Sequence, residues 1–427
     1  MGMLLISKTY WLGMPFNFKG ELPEGAVASP ALLKADDMRE ISGTYYHPAG
    51  VDKPKVGVLV MHPRADFSRH YCIPPSLRAG FAALGLNTRC INNDITAIHE
   101  ELILDVNAGV KYLRSKGCEK VVLFGNSGGG SLFAFFQSQA QLGRGKRIAK
   151  TPGGATTFLN GADMVPADGF IAVSCHKGEG RILNECIDAS VTNEYDPTLT
   201  DPALDMYNPD NGFAEPPSWS EYSPEFVKTY REAQLARVRR LDSIAHAMID
   251  DTVRFDAQYN AAKKSGADFK TRQALGRRAA VEQVMTIYRT QANLHYVDKH
   301  LDPSDRPYGS LFSDRPDLMN YQYIGFGRVV TPHAWLSTWS GLSSNADLQR
   351  NIAKLEVPVL VVNAEHDNEI FPKTDAEPIW NAVTYKDKTY MKFDAKHYFE
   401  PPFGQKTAPD VDKLMEKVIP WMQERFA

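Results

Sequence analysis

Cysteine is scarce in this sequence. Cys72, Cys90, Cys118, Cys175 and Cys186 are the five among 427 residues, odd in number and without a C-x-x-C pair. That pattern argues against a disulfide framework or a zinc knuckle, and a reducing compartment, the cytoplasm, is expected. Long hydrophobic runs are missing too: no apolar stretch approaches the roughly 18 residues a membrane span needs. The opening MGMLLISKTY has no basic segment ahead of its short apolar run, so no secretory leader is expected. Ile6 stands where a myristoylation signal needs Ser or Thr. Charge of one sign is not in excess. A net charge of −3 gives no general attraction to nucleic acid or to an anionic membrane. Neither a fixed-period repeat nor a low-complexity tract is found. What is present is an ordinary globular composition, 43% hydrophobic and 23% charged, in a chain long enough to bury a full core.

Short apolar segments then alternate with helical ones. Lys55–His62, Leu86–Asn92, Lys120–Gly125 and Gly169–Cys175 read as buried strands, and Ile98, Leu102, Val106, Val110 and Leu113 recur at helical spacing between them. Such alternation predicts a parallel sheet covered on both faces. The pattern breaks after His176. A Pro/Asp/Asn-rich loop follows, then a helix predicted from the N-cap Ser223 to Gly266, a second over Lys270–Lys299, and an aromatic-rich coil. The acids of DPTLTDPALDMYNPDNG lack calcium-loop spacing. Strand signals resume at Val357–Asp367 and Thr389–Phe399, ahead of a terminal amphipathic helix. The expected domains are a core of residues 1–176 and 345–427, and an inserted cap of residues 177–344 placed to roof a ligand site.

The chemistry-bearing stretch is VVLFGNSGGGSL. Walker A fails because no Lys follows the glycines, and the dinucleotide fingerprint fails because Ser127 occupies its second Gly position. G-x-S-x-G fits as Gly125-Asn126-Ser127-Gly128-Gly129, after a strand and before a helical run, the setting of a nucleophile elbow. Serine needs a base, and the base an orienting acid. Asp367 follows one predicted strand and His397 the next, so both are expected beside the elbow at the sheet's carboxyl end.

The order Ser…Asp…His and the elbow together resemble the α/β-hydrolase superfamily of serine hydrolases. The likeness covers roughly residues 40–176 and 345–427. It implies an α/β fold, a mostly parallel sheet flanked by helices, here with a mainly helical cap, and no cofactor or metal. It also implies Ser127 as nucleophile, His397 as general acid/base and Asp367 as its acid. Asp394, Glu365 and Glu369 lie close by, but Asp394 sits within the predicted strand and Asp367 is preferred. Relatives often carry His-Gly after the third strand, whereas this chain has Pro63 in the Gly position. Pro has no N–H, so Arg64 N–H, with Ala65 as the fallback, is expected to join Gly128 N–H in the oxyanion hole.

Arg64, Arg69 and His70 lie on that loop. An arginine there can clamp a substrate carboxylate, although a structural ion pair is the favoured reading. His62 reads as a hydrogen-bonded structural histidine. His99-Glu100 is not H-E-x-x-H, because position 103 is Ile. Tyr323, Trp335 and Trp339 are candidate substrate contacts, together with His70. The expected activity is hydrolysis of a small-molecule carboxylic ester or lactone. Carbon–carbon bond hydrolysis of a diketone-like substrate is the alternative, and a non-catalytic binding protein a third reading. The two long helices are expected to form a hairpin at a homo-oligomer interface, a dimer or higher.

Overall fold

The computed structural model describes residues 21–91, 93, 95–401 and 407–427. The MGMLLISKTY reading lies outside them. Strands β1 (Val27–Lys34), β2 (Glu40–His47), β3 (Val56–Val60), β4 (Ala82–Leu86), β5 (Lys120–Asn126) and β6 (Gly169–Val173) come first. A separate short pair, β7 (Met285–Thr286) and β8 (Val329–Val330), precedes β9 (Val359–Ala364) and β10 (Lys388–Phe393). The main sheet runs β1-β2-β4-β3-β5-β6-β9-β10. Its β1–β2 and β2–β4 pairings are antiparallel, and all the others are parallel.

Side chains alternate across a strand, and both faces of this sheet are covered. Leu59, Leu84, Leu123, Phe170 and Val361 pack on one side, against α2 (His99–Ser115) and α3 (Gly128–Ala140), which follow α1 (Ile73–Arg78). Val58, Val60, Phe124, Ile171 and Val362 pack on the other, with Leu414, Val418 and Met422 of the C-terminal helix Pro409–Phe426. Burial on both faces is why the strands read as continuous apolar runs.

Three expectations need correction. The strand predicted over Leu86–Asn92 is Ala82–Leu86 instead. Its Ala/Gly text is a weak strand former, but a Cβ at Gly85 would lie 2.6 Å from the Ser68 carbonyl oxygen, so only glycine admits the crossing loop. After it the chain turns out, and Arg89 bonds Asp105 at 2.6 Å. The helix predicted over Lys270–Lys299 stops at Ala279. Val284 and Ile287 bracket β7, which pairs with β8, and the buried Arg289 takes φ 59° beside Asp188 at 2.7 Å. The strand predicted over Thr389–Phe399 ends at Phe393, which leaves Asp394 outside it, and β1 and β2 form the antiparallel edge.

Between β6 and β9 lie α4 (Glu179–Cys186), α5 (Pro224–Lys264) and α6 (Phe269–Ala279). Ser223 caps α5 by accepting the Phe226 N–H at 3.1 Å. The helix runs 41 residues through Asp250-Asp251 without a break, about 60 Å at 1.5 Å per residue. Tyr230, Gln234, Arg237, Val238, Leu241 and Ala245 are its buried residues; beyond Ala245 none is. The apolar stripe therefore stops short of the far end, where α6 folds back with Arg278 over the Phe255 ring. A core of its own, built on Tyr230, Leu241, Phe326, Trp335 and Trp339, holds this inserted segment together. Among the described residues no helix is long and apolar enough to cross a membrane.

Candidate active site

Strand β5 ends at Asn126 and α3 begins at Gly128, so the chain reverses on Ser127 alone, at φ 53° and ψ −124°. A non-glycine residue held there stores of order 1–3 kcal/mol and persists only when its surroundings enforce it. They do so through Asn126. Its Nδ2 donates to Val173 O at 2.8 Å, and its Oδ1 accepts from His70 Nε2 at 3.1 Å and from the Tyr71 hydroxyl at 3.0 Å. Ser127 N–H adds a bond to Val173 O at 3.2 Å. The glycines after the serine serve close approach, since a Cβ on Gly129 would stand 2.4 Å from Met61 O. As the first residue of α3, Gly128 also presents one of the N–H groups that a helix start leaves without an intrahelical partner.

Asp367 follows β9 and His397 follows β10. His397 Nδ1 donates to Asp367 Oδ2 at 2.7 Å, and both side chains are buried. Asp367 Oδ1 accepts the N–H groups of Glu369 at 2.8 Å and Ile370 at 3.0 Å. The remaining ring nitrogen, His397 Nε2, is buried and has no hydrogen-bond partner among the described residues. An imidazole oriented through Nδ1 with Nε2 open is arranged to take a proton. Tyr398 packs its ring 4.3 Å from His397. Burial raises the Tyr398 pKa, and the nearby Ser127 hydroxyl partly offsets that rise.

A strained serine at the end of the fifth strand, in a sheet of order 1-2-4-3-5-6 continued by β9 and β10, decides the architecture. The chain has an α/β-hydrolase fold. No family model matches the sequence, and no curated protein matches it. Among solved structures it is similar to the esterase domain of a Rhodothermus marinus protein, at 8% identity and TM-score 0.43 over 94% of this chain and 100% of that one. It is also similar to Est1E from Butyrivibrio proteoclasticus, at 10% identity and TM-score 0.45 over 93% and 98% of the two chains. A hypothetical protein from Pseudomonas aeruginosa gives 12% identity and TM-score 0.46 over 99% and 100%. The fold assignment rests on the strand order and the elbow.

Within this α/β-hydrolase fold, several expected site residues lie elsewhere. His70 is buried under the elbow, bonded to Asn126 and to Cys72 Sγ at 3.2 Å, so it supports Ser127 from below. Burial lowers its pKa to about 3. Tyr323 is 80% exposed. Trp335 is buried in the inserted segment, where its indole N–H donates to Asp242 at 2.7 Å. Of the expected aromatic contacts, Trp339 reaches the oxyanion loop: Arg64 lies 4.9 Å over its ring and 5.8 Å over that of Phe326.

The oxyanion assignment of Arg64 changes, while the structural ion pair favoured for its side chain forms. Its N–H donates to His62 Nδ1 at 3.1 Å, and that of Ala65, the fallback donor, joins the same atom at 2.9 Å. Its guanidinium meets the buried Glu179 carboxylate, with Nε and Nη2 each at 3.4 Å, where an anion clamp would need it open to substrate. Burial alone would raise the Glu179 carboxyl, but Arg64, His176 and His62 bring it down to about 2. His176 lies 3.8 Å from Glu179, and burial lowers the His176 pKa to about 4. Glu179 went unnoticed in the sequence, where only its place three residues after His176 sets it apart. Tyr398, next to His397, was equally unmarked.

Proposed function

We propose that the chain is a serine hydrolase that cleaves a small-molecule carboxylic ester or lactone. One observation carries the reading: a strained Ser127 shares the sheet's carboxyl end with an imidazole that is tied to a buried Asp367 and open at Nε2. In the proposed first step, Ser127 Oγ bonds to the carbonyl carbon while its proton passes to His397 Nε2. The carbon–oxygen π pair moves onto the carbonyl oxygen. That pair then re-forms the double bond, the alkoxide leaves with the proton from His397, and an acyl-Ser127 ester remains. Water, deprotonated by the same nitrogen, repeats the sequence and frees the acid. Asp367 holds the ring in the Nδ1–H tautomer and stabilises its charged form. No cofactor enters these steps. The segment between β6 and β9 has its own core and supports a reading as the cap that selects the substrate. All five cysteines are buried and unpaired, which supports a reducing compartment such as the cytoplasm.

The test is a fluorophosphonate probe beside a panel of p-nitrophenyl esters, lactones and diketones. Labelling and ester turnover in the wild type, both lost in Ser127→Ala, are expected. Labelling that persists in Ser127→Ala ends the reading. Turnover of diketones alone moves it to carbon–carbon cleavage.

A further inference from the structure

The two loop amides expected to complete the oxyanion hole are spent. Pro63 has no N–H, and the N–H groups of Arg64 and Ala65 both end on His62 Nδ1. A hydrolase of this kind needs a second donor beside Gly128 N–H for the oxygen that becomes charged. The two bonds that remove the amides also settle the His62 tautomer. A ring nitrogen that accepts two N–H groups carries no proton, so the ring proton of the neutral imidazole is on Nε2. The side chain is buried, and burial pushes its pKa well below the ordinary histidine value, which keeps the ring neutral.

Nε2 is turned to the elbow. A Cβ on Gly128 would lie 2.8 Å from His62 Nε2 and 2.7 Å from Glu179 Oε1. Glycine there lets the ring nitrogen and the carboxylate close directly onto the first turn of α3. A carboxylate alone at that point would repel an oxyanion. Glu179 is offset by Arg64, whose guanidinium is in turn held over Trp339. What faces the start of α3 is therefore a neutral N–H donor beside a compensated ion pair.

We propose that His62 Nε2–H is the second oxyanion donor, acting with Gly128 N–H. The proposal rests on the Ser127–His397–Asp367 reading. As Ser127 Oγ bonds to the carbonyl carbon, the π pair moves to oxygen, and both N–H groups donate to it without giving up their protons. When the intermediate collapses, the pair returns to the double bond and the leaving group departs with the proton held on His397. The backbone amides of the loop act at one remove, by holding His62 in the tautomer that donates.

The experiment compares wild type, His62→Leu, His62→Gln and Ser127→Ala on a p-nitrophenyl ester, with a trifluoromethyl ketone as the transition-state mimic. His62→Leu is expected to lower kcat roughly 100- to 1000-fold. KM should stay within about threefold, and ketone affinity should fall in step with kcat. His62→Gln, which restores an N–H at similar reach, should recover part of both. A His62→Leu enzyme with kcat near wild type, beside an inactive Ser127→Ala, overturns the donor and leaves the triad standing. An active Ser127→Ala overturns both. If His62→Leu does not fold, nitrogen-15 histidine spectra of the wild type decide. An Nε2–H tautomer whose proton moves downfield on adding the ketone is expected, and an Nδ1–H tautomer or an unmoved proton overturns the proposal.

Discussion

Asp367 Oδ2 accepts from His397 Nδ1 at 2.7 Å across 30 residues of chain, while Asp394, three residues before His397, pairs with His366. Asp394 is largely exposed, whereas Asp367 is buried with both oxygens bonded. The two carboxylates are thus separable by experiment. Asp367→Asn should keep the fold and lower kcat by roughly 10³- to 10⁴-fold, through the wrong tautomer at His397. Asp394→Asn should stay near wild type. Ester kinetics on the two variants check this, and the reverse ranking would show that the orienting acid is Asp394.

Arg64 is buried between Glu179 and the Trp339 ring. Removing it leaves a buried carboxylate uncompensated, a change that typically costs about 3–5 kcal/mol. Arg64→Met should therefore lower the melting temperature and lose turnover equally on neutral and carboxylate-bearing esters. Arg64→Met combined with Glu179→Gln should regain much of the stability, because the unpaired charge is gone. Losses confined to carboxylate-bearing esters would instead restore the clamp.

Glu369 supplies the pH dependence. Burial raises its carboxyl pKa to about 8, and Asp367 beside it adds to the rise. The Tyr296 hydroxyl reaches both of its oxygens at 3.1 Å. A carboxyl raised in the fold binds its proton more tightly folded than unfolded. Stability should accordingly fall as pH rises from about 4.5 to about 8 and level off above, by up to about 5 kcal/mol from this one group. Glu369→Gln should remove that slope. Urea unfolding of both proteins at about pH 5 and about pH 9 measures it, and parallel losses in the two would assign the slope to other groups.

The far half of α5 and the whole of α6 contain no buried residue, yet Val253 and Phe269 there are 64% and 68% exposed. Val281 and Val284 follow, half exposed. These exposed apolar side chains along the hairpin are expected to meet a second copy of the chain. Light scattering should give a mass above the 47.6 kDa of one chain, lowered by Phe269→Glu with Val253→Glu. A clean monomer at micromolar concentration refutes the interface and leaves the hairpin as part of the segment between β6 and β9 only.

The buried central strands, the strand-to-helix turn at Ser127 and the start of α5 were all legible in the sequence. Continuous apolar text marks a strand covered on both faces, G-x-S-x-G marks a turn that only small residues allow, and Ser223-Pro224 marks a helix start. Each signal comes from residues close along the chain. Tertiary structure decided the rest. Strand β4 owes its place to Gly85 passing under the Ser68 carbonyl, and the helix predicted to reach Lys299 ended where β7 found β8 as a partner. The Arg64 amide turned to His62, its guanidinium to Glu179 115 residues away, and Glu369 met Tyr296 73 residues away. Periodicity reports how one segment is buried. It carries no record of which distant polar group arrives opposite, and once water is excluded that group decides where each N–H and carboxylate must go.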